Sequence, residues 1–248
     1  MKIALINENS QKKKNQFILN VLQRVAKKYG HEIFNYGASE DKNADIDYVG
    51  AGILTGILLN SKAVDFVITG CASGCGVMMV ANTLPEVECG YVSDLIDASL
   101  FARINAGNAV SIPFGKYFGV GAEMNLESIF ETLFQTTFAI GYPKERVEIQ
   151  ESQRQAYKEL KSLSTKDMYT ILDALDKDIL KSIVKNDYFE EFFFANSQDD
   201  VIAQYLKEFI DGLDSWIVLE DKMIWLTLRS TDKVRVKSII WQHSNIAN

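Results

Sequence analysis

Apolar positions in the first 140 residues alternate between two textures. Ile3-Ala4-Leu5-Ile6-Asn7 is a short continuous apolar run of strand length, whereas Phe17, Ile18, Val21, Leu22 and Val25 recur at helical spacing and stop at Gly30. Strand-like runs return at Glu32–Tyr36, Val64–Thr69, Glu88–Val92 and Ala109–Ile112, with helical stretches between them near 46–60, 75–83, 94–106 and 120–139. Strands separated by helices form βαβ units, which bury a parallel sheet between helices. The pattern therefore predicts an α/β domain over 1–150: a Rossmann-like three-layer α/β/α sandwich around a five-stranded parallel sheet. Such sheets bind ligands at the carboxyl ends of their strands. The tips to consider are Asn7-Glu8-Asn9-Ser10, the loop at Cys71, Ser93-Asp94 and Pro113-Phe114-Gly115-Lys116.

The texture changes after Gly141-Tyr142-Pro143. Residues 144–163, 165–185 and 198–211 read as charged amphipathic helices, so 151–248 is expected to be a mainly helical C-terminal extension. Its last part carries Trp216–Leu219, Met223–Leu226 and Val234–Trp241, which look like strands or short apolar elements and hold all three tryptophans. Rows of this kind usually belong to a core or a subunit interface.

Composition narrows the function classes. With 47% hydrophobic residues, 24% charged residues and three prolines in 248, the chain has the makings of a real core and no signature of disorder. The net charge of −7 is spread over both parts, and no basic arm or stripe suggests a nucleic-acid or membrane partner. The first apolar run is too short for a signal peptide, and no stretch approaches the ~18 apolar residues of a membrane span, so a cytoplasmic location is expected. Three cysteines, Cys71, Cys75 and Cys89, and two separated histidines, His31 and His243, make neither a zinc site nor a disulfide framework. No metal or cofactor is expected.

The densest chemistry is Cys71-Ala72-Ser73-Gly74-Cys75-Gly76, between the strand ending at Thr69 and the helix-like Val77-Met78-Met79-Val80-Ala81-Asn82. A small-residue loop at a helix start lets backbone N–H groups close on an anion and holds a thiol where the helix dipole favours thiolate. A tight turn with two buried cysteines would read the same way in isolation.

The loop, the helix ending Ala81-Asn82, and Pro85 resemble the signature of the ribose-5-phosphate isomerase B and galactose-6-phosphate isomerase family. Ser93-Asp94, Asn105-Ala106-Gly107-Asn108 before a strand, Gly121 with Glu123, and Gly141 through Arg146-Val147 extend the resemblance in order over roughly 1–150. It implies aldose–ketose isomerisation of a phosphorylated sugar, of the ribose 5-phosphate to ribulose 5-phosphate type, through a cis-enediolate without metal. Cys71 stands where that family has its base, Ser73 replaces a threonine, and backbone N–H groups near Ser73, Gly74 and Gly76 would form the anion hole. Cys75 falls at a variable position and reads as packing.

The departures bear on the substrate. Glu8-Asn9 stands where the family has Asp-His, Ile104 where it has the ring-opening histidine, and Tyr142 where it has the first arginine of its tail. Glu8 is then the candidate for ring opening, unless the substrate arrives open, with Asn9 beside it on the sugar. Asn105 and Asn108 are candidates for sugar hydroxyls, or for helix caps. Lys116 and Arg146 are candidates for the phosphate, Arg146 delivered from a neighbouring subunit of a homodimer or homotetramer. Lys12-Lys13-Lys14 reads as a solvated face more readily than as a phosphate site. A hexose 6-phosphate or unusual sugar derivative, and a silent sugar-phosphate sensor, remain as alternatives.

Overall fold

Alternation along the strands decides which helix each side chain meets. Ile3 and Leu5 of β1 (Lys2–Asn7) lie in parallel register with Phe66 and Ile68 of β3 (Phe66–Cys71). These four enter one core with Leu22 and Val25 of α1 (Asn15–Lys28) and Ile129 and Phe130 of α5 (Ala122–Gln135). Ala4, Ile6, Val67 and Thr69 alternate to the other face, where α2 (Tyr48–Asn60) and α3 (Cys75–Asn82) pack. This is a computed structural model, and it describes residues 1–41, 45–116 and 118–214.

The sheet is completed by β2 (Glu32–Asn35), β4 (Cys89–Tyr91) and β5 (Ala109–Pro113), in the order β2-β1-β3-β5-β4 with every pair parallel. The five predicted strands and the three-layer sandwich are present. The helix expected over 94–106 is α4 (Leu95–Leu100) running into a π turn, Phe101–Asn105, that ends on Ala106 in the left-handed region at φ 53°.

α2 is apolar nearly all round, with Gly50 to Leu59 buried. A helix without a polar face needs cover on both sides. The sheet covers one side and the C-terminal helices α7 (Met168–Ala174) and α8 (Lys177–Val184) pack on α2 as well. The single helix expected over 165–185 is thus two, because Asp176 takes Asp178 N at 2.8 Å and starts α8 afresh. α6 (Val147–Ser164) follows a 3-10 turn at Lys144–Arg146, and α10 (Asp200–Asp214) is the last described helix. The chain divides into two compact units, Met1–Gln204 and Tyr205–Asn248, so α7 to α9 belong to the unit that holds the sheet. The strand-like runs expected at 216–219, 223–226 and 234–241 lie outside the described residues.

α9 (Asp187–Asn196) has no counterpart in the periodicity reading. Its Phe192 meets Phe34 and Tyr36 edge-on, with centroids 5.5 and 5.9 Å apart, at the β2 edge of the sheet. Asn186 is buried between them: its Oδ1 caps α9 at Tyr188 N, 2.9 Å, and its Nδ2 donates to Tyr36 O, 3.0 Å. Asn186→Ala removes a cap worth about 1 kcal/mol and leaves a buried carbonyl unpaired at a cost of about 1 kcal/mol or more. The expected result is a lower urea midpoint at unchanged m-value, with Asn186→Asp, which keeps the cap but sets an acceptor-only carboxylate against the buried Tyr36 carbonyl, losing at least as much.

Candidate active site

β1 and β3 meet where the strand order reverses direction, the place at which open parallel sheets form a crevice. The register Asn7↔Gly70 brings Glu8 beside Cys71, and Glu8 N donates to Gly70 O at 3.2 Å. On the other side of β3, Cys71 is in register with Pro113 of β5. Glu8, Cys71 and Pro113 thus form a row across three adjacent strand ends, each about 4.8 Å from the next.

Local geometry turns this row into a site. Cys71 is buried, and its Sγ lies 3.8 Å from Ser73 Oγ, which accepts Cys75 N at 3.3 Å. Gly74 takes φ +76° to turn the chain into α3, a conformation L side chains resist, and a Cβ there would stand 3.0 Å from the Tyr91 ring. Its carbonyl accepts Ser111 Oγ at 2.6 Å, which ties the loop to β5. α3 begins at Cys75, so its first-turn N–H groups and the positive end of its dipole open onto the loop. Tyr48, the first residue of α2, closes over this turn: a Cβ on Gly76 would stand 3.0 Å from its ring. Cys75, expected to pack, is exposed.

The Glu8 carboxylate is buried and faces Ser10, whose N donates to Oε2 at 2.8 Å and whose hydroxyl donates to Oε1. Asn9 is exposed, with its N bonded to Ile46 O at 2.7 Å just ahead of α2. Lys116 is exposed past β5, with Nζ 3.5 Å from Tyr91 OH. Asp47 and Asp94 act as helix caps, accepting Gly50 N at 2.7 Å and Ile96 N at 2.8 Å. A cleft of about 500 Å³ bordered by Ser93, Asp94, Phe118 and Asn125 opens at this same edge. Glu8, Asn9, Cys71, Ser73, Gly74, Gly76 and Lys116 therefore share one end of the sheet.

Asn105, Asn108 and Arg146 do not join them within one chain. Asn108 precedes β5, whose five residues at about 3.3 Å each separate it from the carboxyl edge. Its side chain is occupied there, accepting Glu88 N at 2.8 Å and donating to Glu86 O at 2.6 Å. Asn105 ends the π turn and lines a cavity of about 340 Å³ with Cys89, Arg154 and Tyr157. The segment leading to Arg146 is held on the same π turn by Ala139 N to Ala102 O and Gly141 N to Arg103 O, both 2.9 Å, and Arg146 is exposed. Burial pushes the Cys89 thiol up to about 12. His31 lies elsewhere, against Phe134 with centroids 5.0 Å apart, and burial lowers its pKa. Among the described residues, no group of three or more His, Cys, Asp or Glu is placed to hold a metal ion, and no helix is long and apolar enough to cross a membrane.

The model of the ribose/galactose isomerase family matches residues 3–149, the whole of the sheet with its site. The chain belongs to this family. A second family model, described as ribose-5-phosphate isomerase, matches residues 163–209, the helices that cover α2 and the β2 edge. A 4-deoxy-L-threo-5-hexosulose-uronate ketol-isomerase, solved with a tartrate, is 47% identical, covers 85% of this chain and 100% of its own, and superposes with a TM-score of 0.83. A ribose-5-phosphate isomerase from Vibrio parahaemolyticus is 43% identical over 84% of this chain and 99% of its own, with a TM-score of 0.81. The type B ribose 5-phosphate isomerase of Trypanosoma cruzi shares the fold at 16% identity, with a TM-score of 0.54 over 65% of this chain and 96% of its own. No curated protein matches the chain. As a ribose/galactose isomerase family member the protein is an aldose–ketose sugar isomerase.

The three thiols should separate by accessibility. With a maleimide at pH 7.5, exposed Cys75 is expected to label at nearly the rate of a free thiol, buried Cys71 at least tenfold more slowly, and Cys89 only after unfolding. Mass spectrometry of tryptic peptides reads the order; fast labelling of Cys89 in the native protein would contradict its position.

Proposed function

We propose that the protein interconverts the aldose and ketose forms of an open-chain sugar acid through a cis-enediolate, with Cys71 as the base. The reading is carried by the row of Glu8 and Cys71 at the β1 and β3 ends, next to the start of α3. Cys71 Sγ takes the C2 proton and returns it to C1. The oxyanion that develops meets the first-turn N–H groups of α3 and the Ser73 hydroxyl, 3.8 Å from the sulfur. Glu8, one strand over, carries the hydroxyl proton between O1 and O2. Lys116, exposed at the β5 tip, meets the negative end of the substrate.

Ring chemistry favours a sugar acid. In the family resemblance the ring-opening histidine falls at Ile104 and the histidine of the first strand tip at Asn9, so the site suits a substrate whose C1 carbonyl is already free. A 4-deoxy-5-hexosulose uronate, the compound named for the 47% identical isomerase, is such a substrate. It lacks the C4 hydroxyl, and its C5 is a ketone, so neither can close a furanose or pyranose ring on C1. Ribose 5-phosphate is the second reading, supported by the name of the 43% identical relative.

The test is turnover of both compounds with deuterium uptake from D₂O. The uronate is expected to be preferred by at least about 100-fold in kcat/KM, the cost of a missing ring-opening acid or base. Cys71→Ala should lower exchange by about 10² to 10⁴ while leaving binding nearly intact, and Cys75→Ala should change it little. A preference for ribose 5-phosphate would overturn the substrate; full activity in Cys71→Ala would overturn the base.

The site also calls for a second copy, because Arg146 and Asn105 sit at the far end of their own sheet and complete the substrate contacts only from a neighbouring subunit. Mixing Cys71→Ala with Arg146→Ala protein should then restore up to about a quarter of wild-type activity, since half of randomly paired dimers hold one intact site of two. No recovery after demonstrated subunit exchange would remove Arg146 from the site.

A further inference from the structure

Three lysines stand in a row at 12–14, and only Lys14 turns inward. Lys12 and Lys13 are exposed at the end of the 3-10 turn Asn9–Lys14. Lys14 Nζ donates to Gln11 Oε1 at 2.8 Å and to Phe114 O at 2.5 Å, and lies 4.3 Å above the Phe118 ring. Gln11, itself buried, donates Nε2 to Ser10 Oγ at 2.7 Å, and the Ser10 hydroxyl reaches Glu8 Oε1. A continuous strap thus runs from the Glu8 carboxylate just past β1 to the Phe114 carbonyl just past β5, the two strands that flank Cys71 on β3.

The strap has a fixed polarity. An ammonium only donates, so Gln11 must present its oxygen to Lys14 and its amide N–H to Ser10. Ser10 Oγ then accepts from Gln11 and has its one hydrogen left for Glu8. Nothing in this order can reverse while Lys14 is in place, and it commits the Ser10 hydrogen to Glu8 Oε1, beside the Ser10 N–H that holds Oε2. A lysine that merely braced β5 against the start of α1 would need the Phe114 contact alone. The buried amide of Gln11 and the hydroxyl of Ser10 add a path that ends on the one carboxylate in the row.

We propose that Lys14, through Gln11 and Ser10, is the positioning residue that aims the Glu8 carboxylate at the substrate oxygens. The inference rests on the role of Glu8 given above. Lys14 touches neither substrate nor Cys71; it acts by fixing which way the strap points.

The experiment uses the full-length protein in Lys14→Met, Gln11→Met, Glu8→Gln and Lys14→Met/Glu8→Gln forms, with kcat and KM measured on the 4-deoxy-5-hexosulose uronate and on ribose 5-phosphate. Lys14→Met and Gln11→Met are each expected to lower kcat by about tenfold with KM within about twofold, the pattern of a lost transition-state contact. The double variant should be no slower than Glu8→Gln alone, because two residues acting through one group are not additive. Gln11→Met leaves the Lys14–Phe114 contact intact, so it decides the matter even if Lys14→Met does not fold. Additive losses, or a wild-type kcat in Gln11→Met beside an impaired Glu8→Gln, would overturn the strap alone. Full activity in Glu8→Gln would overturn the role of Glu8 and the strap with it.

Discussion

The register between β1, β3 and β5 is the constraint from which the site follows. A parallel pair slipped by one residue would turn every side chain of that strand to the opposite face, and Cys71 would then leave the row it shares with Glu8 and Pro113. The register is held by burial on both faces, since Ile3, Leu5, Phe66 and Ile68 fill one core and the alternate positions face α2 and α3. Gly70 makes the fit possible at the end that matters. A Cβ there would stand 2.2 Å from Ile112 O and 2.6 Å from the Phe114 ring, so only glycine lets the β3 tip lie this close to β5.

Around that row the fold divides labour between its two ends. The carboxyl edge collects a thiol, a buried carboxylate and a helix start, the ingredients for moving a proton and holding the charge it leaves. The amino edge collects Asn105, Asn108 and the π turn, whose left-handed exit at Ala106 leads the chain back into β5. Of these Asn108 is a brace for the approach to β4, while Asn105 lines an open cavity. A polar residue near a turn can serve either purpose, and its hydrogen-bond partners decide which.

The helices after residue 150 answer a need created before it. α2 buries both its sides, and a three-layer sandwich alone would leave one of them in water. α7 and α8 pack on it, and α9 closes the β2 edge with Phe192 and Asn186. Covering an edge strand removes a template for unwanted pairing. The second family match over 163–209 falls on these same helices, which fits a segment that is part of the folded unit.

What the chain announces in one dimension is what depends on neighbours in sequence. Strand and helix periods, the Gly30 stop and the small-residue loop after β3 are local, and they sufficed for the α/β sandwich and for a loop with Cys71 at the end of β3. The family resemblance added the reaction class, because its motifs span the sheet in order. The helix α9 and the inward turn of Lys14 were not legible, since each is set by a distant partner, β2 and Phe114 respectively, while the break at Asp176 is a local cap that a count of apolar spacing passes over. Periodicity counts apolar residues along one element and is blind to the surface that awaits them. Three adjacent lysines look alike on paper. Only the packed sheet, which puts a carbonyl and an aromatic face within reach of the third, makes one of them different.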